Sequence, residues 1–322
     1  MKGMIVLINV YISNQIPQEI RADLPSTDIT YYTSSDISED LLDTVEIAWG
    51  LDKNVISMIE SPESKLKWIQ SFSAGVDYFP IQQIRERNII LTNTSGIHAT
   101  AIANTVLLYA LFFTRNLKHA IQSQSNQEWD SIPHFDKLQT LRGKRWLIFG
   151  TGHIGREIAR LAKATDGETI GVNTTGHPAD NFDLTVPITE FSDYLTNVDI
   201  ILNILPLTTE TRHLFDDKFF DKLTKLYLFI NVGRGPSVDE KALEHALDSG
   251  TVQHAALDVF ETEPLSSSSP LWNYDQVLIT PHESAESNEL LPAVRDVFVN
   301  NLDAYLGDGV PDTDIVNTKE GY

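Results

Sequence analysis

The chain has 322 residues, 42% hydrophobic and 21% charged, with 45 acidic side chains against 24 Lys plus Arg and a net charge of −21. That length asks for two hydrophobic cores rather than one, and the acidity excludes nucleic acid or an anionic membrane as the main partner, since both demand basic surface. With no cysteine, disulfide and thiolate chemistry are excluded too, which suits a soluble cytoplasmic protein.

The apolar start "MKGMIVLINVYI" has no small-residue cleavage site behind it and reads as a buried strand rather than a signal peptide. No run reaches the roughly 18 apolar residues of a membrane helix. Strands are expected at "MIVLINV", "DITYYT", "VEIAWG", "KWIQSF" and "IILTN", with a helix at "FPIQQIRER". Residues 98–123 follow as one long helix without Gly or Pro, and "QSNQEWDSIPHFDKLQTLRGK" reads as a polar surface excursion.

From Lys144 the alternation restarts. Strands are expected at "RWLIFG", "ETIGVN", "DIILNIL", "LYLFINV", "HAALDV" and "QVLITP", and helices at "HIGREIARLAKAT", "TEFSDYLTN", "DDKFFDKL" and "DEKALEHALDSG". Asp239 is placed to cap the last of these and Gly250 to stop it. A further helix near residues 289–305 precedes a polar tail. Repeated strand–helix alternation predicts an α/β fold with parallel sheets covered on both faces.

"FGTGHIGRE" carries Gly150-x-Gly152-x-x-Gly155 between an apolar strand and an amphipathic helix. Gly150 suits the tight turn, Gly152 lets backbone approach a pyrophosphate, and Gly155 lets the helix pack closely on the strand. The helix N-terminus, at His153 and Ile154, supplies N–H groups to the phosphates. An acid usually ends the following strand and holds the adenosine ribose. Here Asn173 stands in that place, followed by Thr174 and Thr175, with His177 close behind. Loss of the acid removes repulsion of a 2′-phosphate and tips the expectation from NAD towards NADP, although no Arg or Lys lies between Glu168 and Asp180.

The segments "LRGKRWLIFGTGHIGREIARLAKA", "NILPLTTETRHLF", "FINVGRGPSVDEKALEHAL", "AALDVFETEPL" and "VLITPHESA", with "SFSAGVDYF" and "TNTSGIHATAIA" before them, resemble the D-isomer-specific 2-hydroxyacid dehydrogenase family. The resemblance runs from about Lys67 to Asn300. It implies two Rossmann-like doubly wound parallel-sheet domains. The substrate-binding domain would comprise residues 1–100 and 286–322, and the NAD(P)-binding domain residues 101–285. It further implies a homodimer formed through the cofactor domain. Asn104 departs from the family, where a Glu is usual, and implies altered hydrogen bonding in the helix between the domains.

Reduction of a 2-keto acid needs a cation for the carboxylate, an acid for the ketone oxygen, and a group that keeps that acid protonated. A guanidinium, an imidazole and a carboxylate meet these needs. Arg234, Glu263 and His282 each follow a different predicted strand, where open α/β sheets place their ligands. The resemblance assigns the catalytic roles to the same three residues. It also implies cofactor contacts from Leu205, Pro206, Thr211, Val232 and Asp258, the last near the nicotinamide carboxamide, with Arg212 in the same loop as Pro206. Ser73, Ala74, Gly75 and Val76 would cradle the substrate carboxylate with backbone N–H groups, and Tyr78, Phe79 and Ile97 would line a side-chain pocket.

The remaining histidines (His98, His119, His134, His153, His177, His213, His245 and His254) are expected on the surface or in packing, and none has metal-ligand spacing. The expected activity is reduction of a small 2-keto acid to the D-2-hydroxy acid, and its reverse. The alternatives are a non-catalytic nucleotide-sensing regulator and a formate dehydrogenase on the same fold. The latter pairs its His with Gln rather than with a Glu such as Glu263.

Overall fold

The computed structural model describes residues 7–130 and 138–319. The chain divides into two compact units, Met1–Ile97 with Ser287–Tyr322, and His98–Glu286. His134 and part of the polar excursion lie outside the described residues, as does the start of the first expected strand.

In the first unit, β1 (Ile8–Ile12), β2 (Ile29–Thr33), β3 (Ile47–Trp49), β4 (Trp68–Gln70) and β5 (Ile90–Thr92) form a parallel sheet of order β2-β1-β3-β4-β5. One face is covered by helices α2 (Lys53–Glu60) and α3 (Ile81–Glu86), which bury Val55, Met58, Ile59 and Ile84 against Tyr11, Ala48, Ile69 and Leu91. A single turn, α1 (Glu39–Leu42), precedes β3. The other face receives the C-terminal helix α9 (Leu290–Asp308) through Val294, Phe298 and Leu302. Trp49 stacks on Phe298 at 4.2 Å, and such aromatic pairs add about 0.5–1.5 kcal/mol to the area they bury. The tail pairs with β5 through Asn93 N–H to Asp314 O and Val316 N–H to Leu91 O, so it covers the edge of that strand.

The second unit holds seven parallel strands of order β12-β11-β10-β9-β6-β7-β8. They are β6 (Arg145–Phe149), β7 (Glu168–Asn173), β8 (Leu184–Pro187), β9 (Ile200–Asn203), β10 (Leu226–Asn231), β11 (Val252–Leu257) and β12 (Val277–Ile279). Alternation along the strands separates two cores. Trp146, Ile148, Leu228 and Ile230 pack with α4 (Ala99–Thr114) and α6 (His153–Ala164). Leu147, Phe149 and Phe229 pack with α7 (Asp217–Phe220) and α8 (Glu240–Asp248) on the opposite face. Asp239 caps α8, accepting from the N–H groups of Lys241 and Ala242.

Three local readings of the sequence are corrected. The helix expected over 98–123 is broken, because Asn116 sits at φ 50 between α4 and α5 (Leu117–Ser125); Asn tolerates this left-handed conformation where most residues do not. "TEFSDYLTN" forms only a short 3-10 turn, Phe191–Tyr194, and β8 appears just before it. Helix α2 was not expected, although Asp52 caps it with bonds from Asn54 N–H and Val55 N–H, ahead of apolar residues at helical spacing.

His254, in β11, stacks on Phe113 at 4.6 Å and meets Tyr227 edge-on at 5.1 Å, and its Nδ1 has no hydrogen-bond partner among the described residues. Burial pushes its pKa down to about 4 from an ordinary 6.5. The unfolded chain therefore takes up this proton before the folded one does. Its contribution to stability is complete above about pH 6.5 and is lost as pH falls towards about 4. His254→Phe is expected to flatten the fall in thermal midpoint over that interval, as measured by calorimetry between neutral and acid pH. A variant with the parent's acid sensitivity would rule the assignment out.

Candidate active site

The strand order of the second unit brings the candidate residues to one edge. The switch point, where the order reverses, lies between β6 and β9, and ligands of such sheets bind outside the carboxyl ends of the strands there. Along that edge the loops after β12, β11, β10, β9 and β6 carry His282, then Asp258 and Glu263, then Arg234, then Leu205 and Pro206, then the glycine turn, and Asn173 ends β7.

Between β6 and α6 the glycines differ in what constrains them. A Cβ on Gly155 would lie 2.1 Å from the Gly150 carbonyl oxygen, and one on Gly150, whose φ is 113, would lie 2.8 Å from Ile204. A Cβ on Gly152 would meet nothing within 4 Å. The turn is thus closed on its protein side and open at Gly152, and no side chain caps the start of α6. His153 is exposed and Ile154 half-buried beside that opening. A dinucleotide pyrophosphate fits this cradle: the backbone can be approached closely, and the helix presents N–H groups and the positive end of its dipole.

Asn173 is buried, and its amide is used on its own loop and on the neighbouring glycine turn. Nδ2 donates to Thr151 Oγ1 at 3.0 Å and to His177 O at 2.9 Å, while Oδ1 accepts from Thr175 N–H and Gly176 N–H. Asn173 therefore builds the turn, and the side chains on its outer surface are Thr174, Thr175 and His177, all exposed. Arg156 of α6 lies beside this loop, its carbonyl accepting from Asn181 Nδ2 and its Nη1 3.9 Å from Asp180. Counting along the sequence could not find that cation, because it comes from the preceding helix.

His282 and Glu263 meet directly: His282 Nδ1 lies 2.7 Å from Glu263 Oε2. A carboxylate can only accept, so Nδ1 carries the proton of this bond and the ring presents Nε2 on its other side. Glu263 Oε1 accepts from Phe260 N–H at 3.0 Å, which fixes the carboxylate plane. His282 has φ 56, a left-handed conformation that is costly for a residue with a Cβ and must be held by its surroundings. Asp258 holds it. The Asp258 carbonyl accepts from His282 N–H, and its fully buried carboxylate accepts from Thr280 Oγ1 at 2.6 Å, Glu283 N–H at 2.9 Å and Ser284 N–H at 3.0 Å. The Asp258 side chain is thus spent on shaping the 280–284 segment. Its sequence signal, an acid closing an apolar strand, does not reveal that use.

Arg234 is half-buried after β10, with Nη1 donating to the Gly233 carbonyl. Leu205 and Val232 are buried, their N–H groups bound by Asn203 Oδ1 and Asn203 O. Thr211 is also buried and closes its loop by donating to Pro206 O at 2.7 Å and accepting from Thr208 N–H; Arg212, next to it, is exposed. His213 lies 2.6 Å from Glu261 and His245 3.3 Å from Asp217, while His98 is buried. No group of three His or acidic residues able to hold a metal occurs among the described residues.

In the first unit, the turn after β4 has its carbonyls occupied. Ser71 Oγ donates to Ser73 O, Asn93 Nδ2 to Ala74 O, and Ser73 Oγ to Gly75 O. The N–H groups of Ala74, Gly75 and Val76 have no acceptor among the described residues, which leaves the turn as a donor surface. Tyr78 is exposed, its hydroxyl 2.9 Å from Ser73 Oγ, whereas Phe79 is buried and Ile97 packs against the core beneath α9.

Residues 107–284 match the family described as D-isomer specific 2-hydroxyacid dehydrogenase, NAD binding domain. The chain belongs to the D-isomer-specific 2-hydroxyacid dehydrogenase family. Glyoxylate/hydroxypyruvate reductase B of Escherichia coli is 32% identical over 255 residues, 79% of each chain. A crystal structure of phosphoglycerate dehydrogenase from Lactobacillus plantarum is 38% identical and covers 96% of this chain and 100% of its own, with a TM-score of 0.58. The NADPH-dependent glyoxylate/hydroxypyruvate reductase of Sinorhizobium meliloti, solved with NADP and sulfate, superposes with a TM-score of 0.82 at 26% identity over 98% of this chain and 100% of its own. This 2-hydroxyacid dehydrogenase is therefore an NAD(P)-binding oxidoreductase with two parallel-sheet α/β units.

Proposed function

We propose that the enzyme reduces a small 2-keto acid to the D-2-hydroxy acid with Arg234 as carboxylate anchor, His282 as acid and Glu263 as its partner. The observation that carries this reading is the 2.7 Å contact between His282 and Glu263, beside an arginine on the neighbouring strand end. When bound, the reduced nicotinamide supplies the hydride. Arg234 matches a carboxylate with its planar fork. His282 gives its Nε2 proton to the ketone oxygen as negative charge builds there, and Glu263 stabilises the ring while it is charged. The donor turn at Ser73–Val76 suits the substrate carboxylate, and the unit that carries it is proposed to bind substrate while the His98–Glu286 unit binds cofactor. Glyoxylate and hydroxypyruvate are the substrates proposed first, from the names of the relatives.

For the cofactor we infer a preference for NADP(H). An uncharged Asn173 spares a 2′-phosphate the usual carboxylate, while Thr174, Thr175 and His177 offer donors and Arg156 a nearby positive charge. Aqueous, cytoplasmic operation as a homodimer is also proposed. Support for the dimer comes from α4, α5 and the residues just after them, where Leu108, Leu111, Leu117, Ile121 and Trp129 are exposed.

Three measurements test these readings. His282→Ala should lower kcat for keto-acid reduction by about 10²-fold or more, with NADPH still bound. Near-normal turnover of the variant refutes the assignment. In steady-state assays NADPH should exceed NADH in kcat/KM, and an advantage for NADH of about tenfold, 1.4 kcal/mol, reverses the cofactor inference. Sedimentation should give a dimer that Leu108→Asp with Ile121→Asp dissociates, whereas a monomeric parent removes the dimer.

A further inference from the structure

Behind Arg234 lie three polar side chains that the chemistry above leaves unused. Asn203 ends β9, Asn231 ends β10, and Ser237 closes the 3-10 turn Gly235–Ser237; they are 0%, 1% and 0% exposed. Two asparagines at the ends of strands as apolar as "IILN" and "LYLFIN" are out of place in a hydrophobic layer. Their burial is tolerable only if every polar atom is bonded.

The bonding is complete. Asn203 Nδ2 donates to Asn231 Oδ1 at 2.9 Å and to Ser237 Oγ at 2.7 Å. Asn231 Oδ1 also accepts from Gly233 N–H at 3.2 Å. Asn231 Nδ2 and the Ser237 hydroxyl both donate to the carbonyl of Arg234, at 3.3 and 2.5 Å. At the far end, Asn203 Oδ1 accepts from Leu205 N–H at 3.1 Å, and Val232 N–H reaches the Asn203 carbonyl at 3.1 Å. The next residue, Gly235, is pressed so tightly that a Cβ there would lie 1.8 Å from the Phe260 carbonyl oxygen. The main chain of Arg234 is therefore held by donors on one side and, through Gly235, by the Glu263 loop on the other.

An apolar layer would leave the Leu205 and Gly233 N–H groups and the Arg234 carbonyl without these bonds, so the network also contributes to stability. What the network does is join two segments. One end grips Leu205, which leads into the segment proposed to face the cofactor, and the other grips Arg234. We propose that Asn203, Asn231 and Ser237 are positioning residues that couple the seating of the cofactor to the aim of Arg234. This rests on Arg234 being the carboxylate anchor. Asn203 serves both ends, whereas Ser237 touches the arginine end and reaches the cofactor end only through Asn203.

The test compares Ser237→Ala, Asn203→Ala and Arg234→Gln with the parent, using glyoxylate and hydroxypyruvate as substrates, NADPH binding by fluorescence, and thermal midpoints. Ser237→Ala is expected to raise the keto-acid KM by about five- to tenfold, the worth of one hydrogen bond, with a smaller change in kcat and NADPH affinity within about twofold of the parent. Asn203→Ala is expected to weaken both NADPH binding and the keto-acid KM. If Arg234→Gln raises the KM but Ser237→Ala and Asn203→Ala leave it unchanged, whatever their thermal midpoints, the network is only structural and the proposal falls. If Arg234→Gln itself leaves the KM unchanged, the anchor assignment is what fails, and the coupling falls with it.

Discussion

The active-site edge of the second unit depends on one buried carboxylate. Asp258, with no solvent exposure, gathers a hydroxyl and two backbone N–H groups from the 280–284 segment, and its carbonyl takes the N–H of His282. A buried anion is tolerated only when its lone pairs are filled, so the segment must close on Asp258 in one way. That closure sets His282 at a positive φ and turns its ring towards Glu263. A side chain with no direct part in the proposed chemistry thus dictates where the proposed proton donor stands.

Sheet topology does the rest. Because β10, β11 and β12 are adjacent and parallel, their ends present an arginine, a glutamate and a histidine side by side, although 48 positions separate the first from the last. Neighbouring strands lie about 4.8 Å apart, so residues on adjacent strand ends fall within reach of one small molecule. The glycine turn and Asn173 sit further along the same edge, so a dinucleotide laid across the switch point has an end near each group.

Much of this was legible in the chain. Near-continuous apolar runs marked most strands of the second sheet, since a parallel sheet buried on both faces tolerates little else. The catalytic candidates were legible because each follows such a run. What stayed hidden was set by contacts distant in sequence. Asn116 breaks a helix by its own left-handed backbone, a choice that its neighbours do not announce. Asn203, Asn231 and Ser237 look like ordinary polar residues near strand ends until the sheet brings them together, and Arg156 reaches the Asn173 loop only because α6 turns back beside it. Asn173 stands in the sequence as a missing acid, whereas its amide has a full set of bonds to its own loop and to the glycine turn.

That saturation divides the proposed adenosine end into two layers. The inner layer, where Asn173 ties Thr151, His177 and two backbone N–H groups together, tolerates little change without losing the loop. The outer layer, Thr174, Thr175 and His177, is exposed, and its side chains can be exchanged while the fold beneath stays as it is. In a lineage carrying this loop, the proposed cofactor contacts can be changed by surface substitutions, because the frame that shapes the loop and the face proposed to read the cofactor are borne by different atoms.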